Sequence, residues 1–254
     1  MIKVIGISDI HGQLPKIEEE FDLLLIGGDI APNYRCGAFF ECEYQRGWFS
    51  NEFVPWVMSL PFKDEHSKVV FIAGNHDFYL YSESDAYKVG YSSIWTDIIT
   101  PCYNRLVYLY DSEYLFEKGD EKLRIYGTPW CKEFGNWAFM INNEKLKTAF
   151  EKIPEGLDIL LTHDAPALPP YGFITEGRWK GEDAGNKPLS EAIKLKKPTY
   201  ALHGHIHSSP HEITNPADAP DTKVACLSIL NETYHMTYKP LVFELEGKKD
   251  GNNG

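Results

Sequence analysis

What this chain has little of narrows the field before any motif is read. Lysine and arginine total 25 against 37 aspartates and glutamates, a formal net charge of -12. That balance argues against a basic face for an extended nucleic-acid track or an anionic membrane. Attraction for an anionic substrate has to be local, and a bound metal ion is the obvious source. The five cysteines (Cys36, Cys42, Cys102, Cys131 and Cys226) are odd in number and form no C-x-x-C pair. They read as reduced thiols of a cytosol-like compartment, not as a disulfide framework or a thiolate zinc site. No basic flank with a following apolar run opens the chain, and no apolar run is long enough to cross a bilayer. A cytoplasmic protein with no membrane partner is therefore expected. Internal repeats are absent as well. The 254 residues, 43% hydrophobic and 24% charged, fit one large domain over residues 1–246, and no linker argues for two. Residues 247–254, polar and rich in Gly and Asn, are expected to fray as a flexible tail.

What is present is a series of short apolar runs. Residues 2–7, 22–26, 69–73, 157–161 and 200–202 each read as a buried strand. Each runs into a polar motif: Asp9-Ile10-His11, Gly28-Asp29, Gly74-Asn75-His76-Asp77, His163-Asp164 and His203-Gly204-His205-Ile206-His207. In open α/β sheets, sites lie beyond the carboxyl ends of strands. One motif of this kind means little, since Asp9 alone reads equally well as the cap of a helix over residues 14–20. Five at the same ends of five strands are hard to explain as turn chemistry. In extended backbone Asp9 and His11 share a face, as do His203, His205 and His207.

The remaining stretches frame these strands. Phe49, Phe53, Trp56, Val57 and Leu60 follow helical spacing and predict a helix packed on the sheet. Residues 106–110, 114–117 and 123–126 alternate as antiparallel strands do and suggest a second sheet. Residues 143–152 and 189–195 read as helices, and 224–230 and 240–245 as closing strands.

Imidazoles combined with carboxylates suit Mn, Fe, Zn, Co or Ni, and not a Ca or Mg site built from oxygen alone. Asp9, His11, Asp29, Asn75, His76, His163, His205 and His207 are too many ligands for one ion. Two divalent ions roughly 3.5–4 Å apart, sharing a carboxylate, would use the set.

The ordered blocks D-x-H, G-D, G-N-H-D, a strand-end His and G-H-x-H resemble those of the calcineurin-like metallophosphoesterases. The resemblance runs from Asp9 to His207 with all five blocks intact. It implies an α/β fold, a four-layer α-β-β-α sandwich of two mixed sheets with flanking helices. Position by position, it implies that Asp9, His11 and His207 hold one metal, that Asp29 bridges, and that Asn75, His163 and His205 complete the second, with Mn favoured. It further implies that Asn75 and His76 bind the phosphate, and that His76, which is not a ligand, protonates the leaving oxygen. The family uses only the last two histidines of the His203–His207 run, so His203 is expected in a supporting, hydrogen-bonded role. Asp77 either orients His76 or its loop, or faces solvent. His66, His211 and His235 are expected at the surface.

Ser/Thr protein phosphatases of this superfamily carry arginines after the G-D and N-H blocks that clamp a phosphomonoester dianion. Here Asp29 is followed by Ile30-Ala31-Pro32-Asn33 and His76 by Asp77-Phe78. A diester carries one charge and has less need of such a clamp. The expectation is a phosphodiesterase acting on cyclic nucleotides or other small phosphodiesters through a metal-bridging hydroxide. The alternatives are a phosphomonoesterase, a nuclease, or a binding or scaffold protein without turnover.

Residues 126–130, 134–139 and 162–166 are also similar to the metallophosphoesterase-domain-containing branch. That branch includes a brain-expressed vertebrate pair with cyclic-nucleotide phosphodiesterase activity of the class III type. Some of its members have lost a histidine of the last block and bind metal poorly; this chain keeps both. Trp130, Phe134 and Trp137 can stack on a base, although a core placement is favoured for at least two of them. Residues 165–187, with Tyr171, Arg178, Trp179 and Lys180, either wall the substrate pocket or form a structured surface loop. Oligomeric state is not legible, which leaves a homodimer open.

Overall fold

The structure is a computed structural model that describes residues 1–33 and 38–249. Nearly every residue of β1 (Ile2–Ile7), β2 (Leu23–Gly27) and β3 (Lys68–Ile72) is buried. Strands of this kind need cover on both faces, and the alternation of their side chains shows what supplies it. Val4, Leu23, Leu25, Val70 and Ile72 pack against Leu123, Ile125, Ile159 and Leu161, between two sheets. Ile5, Ile7, Leu24, Ile26 and Phe71 point the other way, onto Phe49, Phe53 and Val57 of a helical layer.

In the first sheet, β1, β2, β3 and β4 (Leu106–Tyr108) run parallel in that order, and β12 (Leu241–Leu245) is antiparallel on the outer edge of β1. In the second sheet, β11 (Lys223–Cys226), β10 (Tyr200–His203), β9 (Ile159–Thr162) and β6 (Glu121–Thr128) are parallel neighbours in that order. β5 (Ser112–Lys118) and β13 (Lys248–Lys249) both pair antiparallel with β6. A short parallel pair, β7 (Cys131–Lys132) and β8 (Met140–Ile141), stands apart.

Helices close the two outer faces. A helical run comprising α1 (Ala38–Trp48), a π-helical turn (Phe49–Phe53) and α2 (Val54–Met58) covers the first sheet. The short helices α3 (Phe78–Ser82) and α4 (Ser84–Lys88) follow β3, and Tyr79 and Leu80 of α3 join the same core. On the second sheet, α5 (Asn143–Glu151) and α6 (Lys187–Lys196) bury Leu146, Phe150, Leu189 and Ile193 against Tyr126, Leu160, Ala201 and Val224. Helix, sheet, sheet, helix: the expected four-layer sandwich is present. Each fully buried Leu or Ile contributes roughly 1.5–3 kcal/mol, so three such cores can hold strained loops at the strand ends.

Several local expectations are corrected. Residues 13–19 form no helix. Leu14 precedes Pro15, whose ring disfavours helical backbone at position 14, and Glu18, Glu19 and Glu20 would crowd the negative end of a helix. Leu14 and Ile17 pack on the core instead, while the Pro15 carbonyl accepts from Trp56 Nε1 at 2.9 Å. β4, expected in the second sheet, extends the first. The tail expected to fray from Gly247 is paired through Lys249, with Gly247 N donating to Glu121 Oε1 at 3.1 Å. Cys42, Cys102, Cys131 and Cys226 are free thiols; Cys36 and residues 250–254 lie outside the described residues. Among the described residues, no helix is long and apolar enough to cross a membrane.

Candidate metal centre

The five strand ends meet at one edge of the sandwich, three from the first sheet and two from the second. The side chains do not converge by extended geometry, as the D-x-H and H-x-H-x-H spacings suggested. Asp9, His11, Asp29 and His205 have φ of 53°, 41°, 50° and 67°, left-handed turns that cost roughly 1–2 kcal/mol per residue. Backbone bonds zip the first two loops together: Asp9 N donates to Gly28 O (3.0 Å), His11 N to Asp29 O (3.0 Å) and Gly12 N to Ile30 O (2.8 Å). The strand carrying His203 ends there, and Gly204 brings the next loop onto β1. A Cβ on Gly204 would stand 2.1 Å from Ser8 Oγ and 2.4 Å from Asp9 Oδ2, an approach that only glycine permits.

Asp77 orients its loop and does not face solvent. It is fully buried, and its carboxylate accepts from the backbone N–H groups of Ile30, Ala31 and Gly74 at 2.7–3.2 Å. It ties the G-N-H-D loop to the segment after Asp29 and makes no bond to His76. Burial, reinforced by the nearby Asp29 charge, pushes its carboxyl up to about 7.

Donor atoms lie within 4.8 Å of one another in four groups: Asp9, His11 and His207; Asp9, Asp29 and His163; His11, Asp29 and His76; and Cys131, His163 and His205. His207 Nε2 is 3.4 Å from Asp9 Oδ1, His11 Nε2 is 3.6 Å from Asp29 Oδ2, and His163 Nε2 is 3.3 Å from Asp29 Oδ1. Asn75 Oδ1 is 3.0 Å from His163 Nε2, and the rings of His163 and His205 are 5.2 Å apart. Asp29 therefore stands between His11 on one side and His163 on the other. Nδ1 of His163 meets Gly27 O (2.8 Å) and Nδ1 of His207 meets Asn231 O (2.9 Å). Each bond fixes the tautomer that leaves Nε2 free as a ligand atom.

Charge and unmet hydrogen bonding both favour a cation here. Burial alone would raise Asp9 and lower His207, but their mutual attraction prevails: the Asp9 carboxyl lies well below its usual range and His207 rises to about 9. Burial likewise opposes His163, yet Asp29 carries it up to about 10. Burial wins at His11, which falls to about 3, and lowers His76 and His205. Nδ1 and Nε2 of His11 and Nδ2 of Asn75 are buried without any protein partner, a costly condition that a ligand relieves. The imidazole, amide and carboxylate donors suit a borderline divalent ion. The residues fit the metals that the resemblance implied.

His76 shares a donor group with His11 and Asp29, with Nε2 3.9 Å from Asp29 Oδ2. Its Nδ1 meets Asn33 Oδ1 at 2.9 Å, and its ring packs 4.3 Å from that of Trp137. His203 is buried, with Nδ1 3.0 Å from Gly204 O, Nε2 unpartnered, and its ring edge-on to Tyr171 at 5.6 Å. His66 and His235 are exposed, but His211 is half-buried, bonded to Ser228 O at 2.9 Å and stacked on Tyr238. A closed hydrogen bond, not solvent, accommodates it.

A cleft of about 1070 Å³ opens from the centre. The 165–187 segment walls it, through residues that include Ile174, Arg178, Trp179 and Glu182. Tyr171 from that segment is in the core instead, hydrogen-bonded to Val224 O at 2.7 Å. The aromatic trio divides against expectation. Phe134 and Trp137 line the cleft, and only Trp130 joins the core, where its Nε1 donates to Asp111 Oδ2 at 2.8 Å.

Sequence reasoning missed several supporting residues. Ser228 Oγ donates to Asp9 Oδ2 at 2.6 Å. Tyr234 sets its ring 4.7 Å from His11 and 5.4 Å from His207. Asn186 caps α6 and donates to Asp164 Oδ2 at 2.8 Å. Ser228 and Tyr234 lie past the last motif, and nothing in their spacing signals the contact. Asn33 was visible only as a residue standing where the protein phosphatases have arginine.

The model of the calcineurin-like phosphoesterase family matches residues 2–209, and the chain belongs to that family. It is a metal-dependent phosphoesterase by family and by donor set. Metallophosphoesterase domain-containing protein 1 of Homo sapiens is 29% identical over 262 aligned positions, covering 96% of this chain and 71% of that protein. UPF0046 protein C25E10.12 of Caenorhabditis elegans is 25% identical, covering 96% and 81%. Among solved structures, phosphopantetheinyl hydrolase of Mycobacterium tuberculosis superposes with a TM-score of 0.52 at 12% identity, covering 91% of this chain and 90% of that one, a likeness of fold.

Proposed function

We propose that this phosphoesterase is a phosphodiesterase of small diesters, cyclic nucleotides among them, working in the cytoplasm with Mn as the favoured ion. The observation that carries the reading is the makeup of the cleft's phosphate end. Among the described lining residues the cations are Lys132 and Arg178. Lys132 Nζ is engaged by Ala184 O at 2.9 Å, and Arg178 stands over the Trp179 ring on the far wall. At the metal centre the donors are the Asn75 amide and the His76 ring, enough for a monoanion and little for a dianion. The carboxylates around the cleft weigh against a polyanionic nucleic-acid partner.

In this reading Asp9, His11, Asp29, Asn75, His163, His205 and His207 would hold the two ions. Bound there, the ions would acidify a water molecule and neutralise the phosphoryl oxygens. The Asn75 Nδ2 donor, otherwise unpartnered, binds a phosphoryl oxygen. Asn33 Oδ1 accepts from His76 Nδ1 and so holds the ring with Nε2 toward the centre. From Nε2 a proton reaches the departing oxygen. Trp137 covers one face of the ring and limits its access to water.

The test is hydrolysis of bis(p-nitrophenyl) phosphate and p-nitrophenyl phosphate by Mn-loaded protein. The diester is expected to have the higher kcat/KM. A clear preference for the monoester would refute the proposal.

A further inference from the structure

We propose that the outer cleft is a subsite for an ammonium-bearing alcohol, so that the diester cleaved is zwitterionic, with its phosphate at the metal centre and its cationic head among Phe134, Trp137, Trp179 and Glu182. The reaction rests on the phosphodiesterase reading; the inference adds the chemistry of the group released.

Three observations converge on it. The first is the lining. Phe134, Trp137 and Trp179 are 58%, 39% and 52% exposed, and all three face one cleft. Trp137 packs on His76, so the aromatic surface begins beside the group that protonates the leaving oxygen. Aromatic faces attract ammonium groups, most strongly when water is excluded.

The second is charge. Beyond Asp29, five carboxylates line the described cleft against two cations, Lys132, bonded to the Ala184 carbonyl, and Arg178, set over the Trp179 ring. Asp164 and Glu232 accept hydrogen bonds from neighbouring loops, and Asp183 accepts one from Gly185 N of its own loop. The exposed Glu182 carboxylate makes none with the described residues and remains for a ligand. A polyanionic leaving group is repelled here. A neutral flat base gains stacking and at most a hydrogen bond to Glu182, whereas an ammonium group is drawn by its charge to both the aromatic faces and the carboxylate.

The third is the phosphate end. Asn75 lines the same cleft, is 1% exposed and has Nδ2 unpartnered, which marks where the anionic end of the ligand sits. The arm carrying Trp179 and Glu182 is held at its base. Thr175 N donates to Ser208 Oγ at 3.0 Å, Thr175 Oγ1 donates to Ser208 O at 3.1 Å, and Lys132 grips Ala184 O.

The chemistry balances as a hydrolysis. Water oxygen bonds to phosphorus, and the bond from phosphorus to the ammonium alcohol's oxygen breaks, that oxygen keeping the electron pair. It takes the proton from His76 Nε2, and the proton lost by water restores the histidine. The products are a phosphomonoester and the free ammonium alcohol.

The test uses the full chain, loaded with Mn, and two methyl phosphodiesters. Their leaving alcohols are choline and 3,3-dimethylbutanol, its neutral carbon isostere. The choline diester is expected to have a kcat/KM about tenfold higher, mainly through KM, and Glu182→Gln and Trp179→Ala should each shrink that ratio. A ratio near one, a preference for the isostere, or a ratio that Glu182→Gln leaves unchanged would overturn the subsite. So would a nucleoside cyclic phosphate cleaved in clear preference to the choline diester. These outcomes leave the phosphodiesterase reading standing. Failure to hydrolyse any diester, bis(p-nitrophenyl) phosphate included, sinks that reading, and tryptophan fluorescence then decides the subsite alone. Choline should quench it where 3,3-dimethylbutanol does not, with the difference lost in Trp179→Ala; equal behaviour of the two alcohols rejects the proposal.

Discussion

The His205 backbone N–H donates to both carboxylate oxygens of Asp9, at 3.0 and 3.1 Å, across 196 residues of chain. The last motif thus sets the orientation of the first. Ser228, beyond both, holds Asp9 Oδ2 from another side.

That third hold is open to direct test. Ser228→Ala removes a buried donor from Asp9 and leaves the carboxylate less constrained. Outer partners of this kind are typically worth 10–100-fold in metal affinity, and losing one hydrogen bond to a buried carboxylate costs roughly 1.5–3 kcal/mol of stability. Metal titration and thermal melting of the variant should show both losses. Wild-type affinity would mean that His205 N alone fixes Asp9.

Chelation should destabilise the whole domain, because the donor set joins two sheets. A ligand at 100 times its Kd stabilises the native state by about 2.7 kcal/mol. Melting with and without a strong chelator is the check, and a lower Tm after chelation is expected. Coincident curves would show that the His11 and Asn75 atoms without partners carry no metal-dependent stability.

Metal retention and turnover should separate at His76. His76→Ala is expected to lower kcat by roughly 10²–10⁴-fold while bound metal stays at the wild-type stoichiometry. Asn33→Ala, which frees the ring to rotate, should lower kcat less and leave metal content untouched. Elemental analysis beside kinetics distinguishes these outcomes from loss of a ligand.

Asn186 links stability to the cleft wall. Its side chain accepts from Leu189 N as the cap of α6 and donates to Asp164. Asn186→Ala should cost about 0.5–2 kcal/mol through the lost cap, read by urea denaturation. Asn186→Asp keeps the capping acceptor but sets a second carboxylate against Asp164, so it should recover little of the loss. Full recovery would show that the cap alone matters.

The five strand-and-motif units were legible because each compresses a buried apolar run and its polar tip into a few residues. That was enough to assemble Asp9, His11, Asp29, Asn75, His163, His205 and His207 before any geometry was known. How they converge was not legible. Left-handed backbone at Asp9, His11, Asp29 and His205 depends on hydrogen bonds between loops far apart in sequence. The same limit applies to Ser228, Tyr234 and Asn33, whose neighbours are set by tertiary packing alone. Leu14 to Glu20 misled because apolar spacing there resembles a helix, and Pro15 outweighs spacing. Trp137 misled in the opposite sense: an aromatic cluster usually signals core, and here the mouth of a cleft requires it.

The donor set spans the two sheets, with Asp9, His11, Asp29 and Asn75 from the first and His163, His205 and His207 from the second. During synthesis these arrive in order, and a nascent chain that stops short of residue 207 lacks at least one donor. A complete centre must therefore await nearly the whole domain. Until then the chain offers only partial clusters of acids and imidazoles to whatever ions surround it. Ion choice is consequently a late event, made by a folded scaffold whose distances are already set.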